Sequence, residues 1–283
     1  MIPLFENCGN TPLIPIGNGI YGKLETYNPT GSVKDRMVFY VVEKAIFSGD
    51  IDCDTVFCEA TSGNTGISLS AAAAALGNRC IIYMPENMSD ERKQMMTVFG
   101  AELRFSGAND FAGAIAMRDD FLKSTPAAWS PLQFSNEANI ECHRTITAPE
   151  IHKDIGSDWD AFVHGSGTGG TMMGVKQYID ANELNVRTYL TAPSEPAECH
   201  GIQGINDGQN FLLDPSLVDG TYSFTTEAAI SRAKQFARDT GILVGISSGA
   251  NILTCEHVQA ASSRALTIVT MLCDRGERYM SIY

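Results

Sequence analysis

The stretch Thr55–Pro85, "TVFCEATSGNTGISLSAAAAALGNRCIIYMP", decides the fold. It opens on a strand-like run, Thr55 to Ala60, breaks at a turn of Thr, Ser, Gly and Asn, and continues as an alanine-rich helix. It closes on a second apolar strand, Cys80 to Met84. Strand, helix, strand in that order is a βαβ unit, in which the helix carries the chain back so that the strands run parallel. The pattern recurs on both sides. Strands are expected at "ELRFS" (102–106), "AFVHG" (161–165), "VRTYLTA" (186–192), "ILVG" (242–245) and "TIVTMLC" (267–273). Helices are expected from Ser89, read as an N-cap ahead of Asp90 and Glu91, to about Gly100, and over 110–123. Others follow after "SPLQFSNEANIE" to about Asp154, and over 170–181, 226–241 and 248–263. The alternation falls into two blocks, roughly 35–137 and 138–283. It predicts an α/β fold of two open, twisted, mostly parallel sheets flanked by helices, with the active site in the cleft between two domains.

The totals narrow the function. The chain has 283 residues and a formal net charge of −13, a field that repels nucleic acid and anionic membrane surfaces. Any anionic substrate must therefore be drawn in by a local positive site. No apolar run approaches the ~18 residues of a membrane span. The opening "MIPLFENCGNTPLIPI" has neither the basic nor the long apolar region of a secretory signal. Eight cysteines are scattered without a Cys-x-x-Cys pair, which fits free thiols in a reducing cytoplasm. No His, Cys and carboxylate cluster has metal-ligand spacing, so no metal is expected.

Four places carry chemistry. In "ETYNPTGSVKDRM" (25–37), Lys34 sits at the mouth of a helix, where the backbone dipole disfavours a cation by roughly 0.3–1 kcal/mol. Such a lysine is either close to an anion or used as an uncharged amine. In "EATSGNTG" (59–66), Thr61, Ser62, Asn64 and Thr65 crowd a strand-to-helix turn with two glycines, more than a cap requires. The turn suits a carboxylate or phosphate. In "VHGSGTGGT" (163–171), four glycines let the backbone close on a phosphate, with Thr168 and Thr171 beside it. Gly165-x-Gly167-x-x-Gly170 matches a dinucleotide fingerprint, but no acid follows on the next strand, which favours a single phosphate. "GISSGAN" (245–251) adds a serine at another helix start. One lysine and one phosphate cup suggest pyridoxal phosphate held as a lysine Schiff base.

The ordered set of motifs resembles the cysteine synthase (O-acetylserine sulfhydrylase) family of pyridoxal-phosphate enzymes, of the tryptophan synthase β-like fold type II. "CGNTPL", "NPTGSVKDRM", "TSGNTGI", "PENMSDERKQMMTVFGAEL", "QFSNEAN", "TAPEI", "GSGTGGT", "HGIQGI", "GILVGISSGAN" and "DRGERYMS" follow in the family's order nearly end to end. The resemblance implies that Lys34 is the Schiff-base and catalytic lysine and that Asn64 bonds the cofactor's 3′-oxygen. It implies that Gly167, Thr168, Gly169, Gly170 and Thr171 form the phosphate cup and that Ser247 meets the pyridine nitrogen. Thr61, Ser62, Thr65 and Gln133 would hold the substrate α-carboxylate. It further implies a smaller mobile domain over 35–137 and a larger one from 1–34 and 138–283. The implied reaction is β-replacement, giving L-cysteine from O-acetyl-L-serine and sulfide through an aminoacrylate. The implied assembly is a homodimer, and docking of a serine acetyltransferase stays open.

The chain departs from the family's pattern in a short 192–200 segment, in Asn206-Asp207-Gly208, and in Asp274-Arg275 where small residues are frequent. Asp274 beside the pyridine ring would make the ring a stronger electron sink than a serine partner alone. O-phosphoserine as substrate would call for an entrance arginine, and no Lys or Arg lies between Arg187 and Arg232. A cystathionine β-synthase-type replacement is the other alternative within the class. A dinucleotide-binding oxidoreductase and an inactive cofactor binder are the alternatives outside it.

Overall fold

The computed structural model describes residues 2–61, 63–196, 201–205 and 209–283. After a short helix α1 (Pro3–Glu6), the chain forms the hairpin β1 (Leu13–Gly17) and β2 (Ile20–Leu24), then α2 (Lys34–Ser48). The βαβ stretch follows as β3 (Val56–Ala60), α3 (Asn64–Leu76) and β4 (Arg79–Pro85). Next come α4 (Asp90–Val98), β5 (Glu102–Ser106), α5 (Phe111–Ser124) and the two-residue β6 (Ala128–Trp129). A helical segment α6 (Ala138–Cys142) and α7 (Ala148–Ile155) leads to β7 (Ala161–Gly165), α8 (Gly170–Ala181) and β8 (Arg187–Pro193). The chain ends through β9 (Gly220–Phe224), α9 (Thr226–Thr240), α10 (Ile246–Ala260) and β10 (Ile268–Leu272).

Two sheets result. The four-stranded sheet, in the order β5-β4-β3-β6, is wholly parallel. The six-stranded sheet, in the order β1-β2-β10-β7-β8-β9, is parallel except for the β1–β2 hairpin. Helices cover both, so β3 and β10 are buried at every position and are apolar but for Glu59 and Thr270. Alanines on α3 let that helix approach closely: Ile67, Leu69, Ala72 and Ala73 pack with Met37, Val38, Val41 and Val42 of α2 in one core. A second core joins Phe162, Val269 and Met271 to Trp159, Val175 and Ile179. A buried ion network fixes the root of α2. Arg36 Nε reaches Glu25 Oε2 at 2.6 Å, and its Nη2 reaches Glu150 Oε2 at 2.8 Å.

Two expectations need correction. "ILVG" is not a strand: Val244 makes only an isolated bridge to Arg275, because the chain at 243–245 meets the segment leaving β10 and no sheet edge. Ser89 occupies the N-cap position without capping, since its hydroxyl accepts from Arg92 Nε at 2.8 Å and donates to Arg278 O at 3.3 Å. The expected helix to about Asp154 forms and runs continuously over 138–155, widened by a π-turn over His143–Thr147. The strands β1, β2, β6 and β9 go unread in the sequence. β1 lies at a sheet edge, the one place where its Pro15 costs no ladder bond.

Candidate active site

β10 does not stop cleanly at Leu272, and its continuation builds the site. Cys273 O accepts from Val33 N at 2.8 Å, Asp274 bridges Ser32, and Arg275 N donates to Gly31 O at 3.1 Å. On its other side Asp274 O accepts from Gly245 N at 3.0 Å, at the start of α10. Residues 273–275 therefore stitch the lysine loop to the helix carrying Ser247. Lys34 is the first residue of α2. The residue is half-buried as a whole, but its amine lies deep enough that desolvation lowers its pKa, against smaller opposing effects of Cys273 and Asp274. The Lys34 side chain is thus biased toward a neutral amine.

Lys34 shares a cavity with His164, Ser166, Gly167, Thr168, Gly169, Thr171 and Met172. The strand β7 delivers the glycine turn to this point. Gly169 adopts φ 95° at the N-cap of α8, a left-handed conformation that a side chain resists. Thr168 Oγ1 accepts from Asn139 Nδ2 at 3.0 Å and from Gly170 N at 3.3 Å. Thr171 Oγ1 meets His143 Nε2 at 3.1 Å, and the other ring nitrogen of His143 meets Thr147 Oγ1 at 2.9 Å across the π-turn. Burial first, then the charges of Arg36, Lys34 and His164, hold His143 well below the usual histidine range. A neutral imidazole between two hydroxyls orients Thr171 toward the cup. The buried Ser166 hydroxyl has no hydrogen-bond partner among the described residues. An orphaned hydroxyl beside a helix N-terminus, two threonines and a glycine turn fits a phosphate that would supply the missing partner. Sequence reasoning missed Ser166, and it missed Asn139, His143 and His164, which act by contacts between distant segments.

His164 gives a pH test. Burial, and then Lys34, lower its pKa from 6.5 to about 3, and its Nδ1 lies 4.0 Å from the Cys273 thiol. Below pH 6.5 the unfolded chain binds a proton that the folded chain refuses, so stability present at neutral pH is lost as the pH falls. From pH 6.5 to about pH 5 the loss from this one group is about 2 kcal/mol. Chemical denaturation at about pH 7 and about pH 5 should show wild type losing more stability than His164→Gln by that amount. Equal losses would contradict the assignment.

The loop after β3 is the second half of the site. Thr65 Oγ1 donates to Gln133 Oε1 at 2.6 Å. Gln133 is pinned by its N to Glu59 Oε2 at 3.0 Å and by its Nε2 to Ala60 O at 3.1 Å. Glu59, itself buried, is held by Arg118 Nη1 at 2.6 Å. Thr61 Oγ1 accepts from Gly63 N at 3.1 Å. The structure thus joins Thr65 to Gln133, with Thr61 bonded within the same loop, while Ser62 lies outside the described residues. Asn64 opens α3 but faces a different set. Its Nδ2 donates to Asp274 Oδ2 at 2.6 Å, and its Oδ1 accepts from Arg278 Nη1. Ser247 is buried in the first turn of α10, against the Cys273 thiol. Among the described residues no group of three or more His, Cys, Asp or Glu could hold a metal, and no helix is long and apolar enough to cross a membrane.

Comparison with known proteins agrees with this geometry. The chain is 40% identical over 290 residues to cysteine synthase B of Campylobacter jejuni, covering 98% of this chain and 96% of that one. A hydrogen sulfide-producing enzyme of Fusobacterium nucleatum superimposes with a TM-score of 0.93 at 33% identity, covering 99% and 100% of the two chains. An O-acetylserine dependent cystathionine β-synthase of Helicobacter pylori superimposes with a TM-score of 0.92 at 30% identity, covering 100% and 98%. The profile of the pyridoxal-phosphate dependent enzymes matches residues 4–274, and the chain belongs to that family.

Proposed function

We propose that this chain is a cysteine synthase, making L-cysteine by β-replacement from O-acetyl-L-serine and sulfide. The observation that carries the reading is the single cavity holding Lys34 and the glycine turn, with the Thr65–Gln133 pair on the neighbouring loop. In this reading Gly167, Thr168, Gly169, Gly170 and Thr171 hold the phosphate of pyridoxal phosphate. Asn64 holds its 3′-oxygen, Ser247 its pyridine nitrogen, and Lys34 its aldehyde carbon. When bound, the cofactor supplies an electron sink for the bonds at the substrate's Cα and Cβ. Lys34, biased toward a neutral amine, takes the proton from Cα and later returns it. Thr61, Thr65 and Gln133, with Ser62, bind the α-carboxylate as neutral donors. Each such bond to a charged group contributes about 1.5–3 kcal/mol. The 35–137 unit is the smaller, mobile part that closes on carboxylate binding, and the assembly is a homodimer.

The test is product formation with each reactant varied. O-acetyl-L-serine with sulfide should give cysteine, and without sulfide should release acetate equal to the enzyme present. The α-amide of O-acetylserine should release none. Preference for O-phospho-L-serine, or for homocysteine over sulfide, would replace the substrate assignment. Equal reaction of the amide would remove the carboxylate role of the loop.

Ser247 sets the character of the sink. A serine hydroxyl is too weak an acid to keep a pyridine nitrogen protonated, which favours expulsion of a β-leaving group over transamination. Ser247→Ala should retain the cofactor with a modest loss of turnover. Ser247→Asp should raise transamination relative to replacement. An unchanged product ratio in Ser247→Asp would locate control of the ring elsewhere.

A further inference from the structure

Asn64 and Asp274 stand 210 positions apart in the chain and are joined by a hydrogen bond in the fold. We propose that Asp274 is a positioning residue that fixes the direction of the Asn64 carboxamide and so reserves one N–H for the cofactor. This rests on the assignment of Asn64 to the cofactor's 3′-oxygen made above. An asparagine side chain has one acceptor oxygen and two N–H donors, and its orientation is set by its partners. A carboxylate only accepts and a guanidinium only donates. Asp274 Oδ2 takes one N–H at 2.6 Å, and Arg278 Nη1 takes the oxygen. Flipping the amide would turn its carbonyl on a carboxylate and its NH2 on a cation, so both neighbours oppose it. One N–H stays uncommitted among the described contacts.

The two neighbours are themselves held. Arg278 Nη2 donates to Thr30 O at 2.7 Å, and the Tyr279 hydroxyl donates to the same oxygen of Asp274 that Asn64 uses. Asp274, Arg278 and Tyr279 are each at most 2% exposed, whereas Asn64 is only half-buried. The second carboxylate oxygen, Asp274 Oδ1, is buried without a partner among the described residues. It lies where a Cβ on Gly245 would collide with it, at the root of the helix bearing Ser247. The aspartate therefore bonds Asn64 on one side and abuts the root of the helix bearing Ser247 on the other. Packing alone gives no reason to bury a carboxylate whose second oxygen is left unpaired.

The experiment compares wild type, Asp274→Asn, Asn64→Ala and the double variant as holoenzymes, and after removal and re-addition of pyridoxal phosphate. An asparagine at 274 can donate as well as accept, so one of the two constraints on the direction of Asn64 is removed without loss of shape, and Arg278 alone opposes the flip. Asp274→Asn is expected to bind pyridoxal phosphate about 10- to 100-fold more weakly, with a shifted visible absorption band. The cofactor-free thermal midpoint should stay near wild type. The double variant should be no weaker than Asn64→Ala, because both changes remove one interaction. Wild-type affinity and spectrum in Asp274→Asn, or losses that multiply in the double variant, would overturn the proposal. An Asn64→Ala protein with unaltered affinity and spectrum would instead defeat the role of Asn64 itself. If Asp274→Asn does not fold, Asp274→Ser is held to the same outcomes.

Discussion

Lys34→Ala is expected to lose turnover by about 10²- to 10⁴-fold from the missing general base alone. The covalent anchor of the cofactor goes with it, so the loss should sit at the upper end. The surroundings offer no substitute. The titratable groups facing the same cavity are His164, held down to about pKa 3, and behind it Cys273, pushed up to about 12. Neither is a base matched to neutral pH. Because Asn64 and the glycine cup remain, the variant should still take up pyridoxal phosphate, with the absorption of a free aldehyde. Steady-state cysteine formation and the visible spectrum check both statements. Turnover within tenfold of wild type would mean that another group moves the Cα proton.

Gly169→Ala should abolish useful cofactor binding while leaving the two cores intact. Gly169 sits at φ 95°, where an L-residue costs about 1–2 kcal/mol. The added Cβ also collides with the backbone nitrogen of Leu213 and comes within 2.8 Å of the Leu212 carbonyl carbon. Backbone cannot rotate away as a side-chain tip can. The turn must open, which carries the Gly170 and Thr171 N–H groups and the Thr168 hydroxyl out of register together. A loss of about 3 kcal/mol of binding corresponds to more than a hundredfold in affinity. Titration of the cofactor-free variant by its visible band measures it directly, and wild-type affinity would show that the cup is not the phosphate site.

The parts of the site legible in the sequence are those in which one short segment makes its own geometry. The glycine turn after β7, the polar turn after β3 and the lysine at the start of α2 announce themselves because glycine, caps and helix starts are local. The chain joining Thr65 to Gln133 was legible only through the family's motif order, since 68 positions separate them. Asp274 stood out as an odd residue, but its grip on Asn64 needed the fold. His143 gave no sign, because its role depends on a π-turn that places both ring nitrogens against threonines. "ILVG" has strand composition and no strand partner, which composition cannot report. The hairpin β1–β2 was hidden by Pro15 and three glycines in "LIPIGNGIYGKL"; the proline is tolerated because β1 is an edge, Gly17 and Gly19 take positive φ at the turn, and Gly22 lies against Leu272.

The central claim is that Lys34, and no other lysine, carries the cofactor. Reduction of the holoenzyme with borohydride, digestion and mass mapping tests it in one step. A single pyridoxyl label on the peptide containing Lys34 is the predicted result. A label on any other lysine, or none on a yellow protein, would contradict the account.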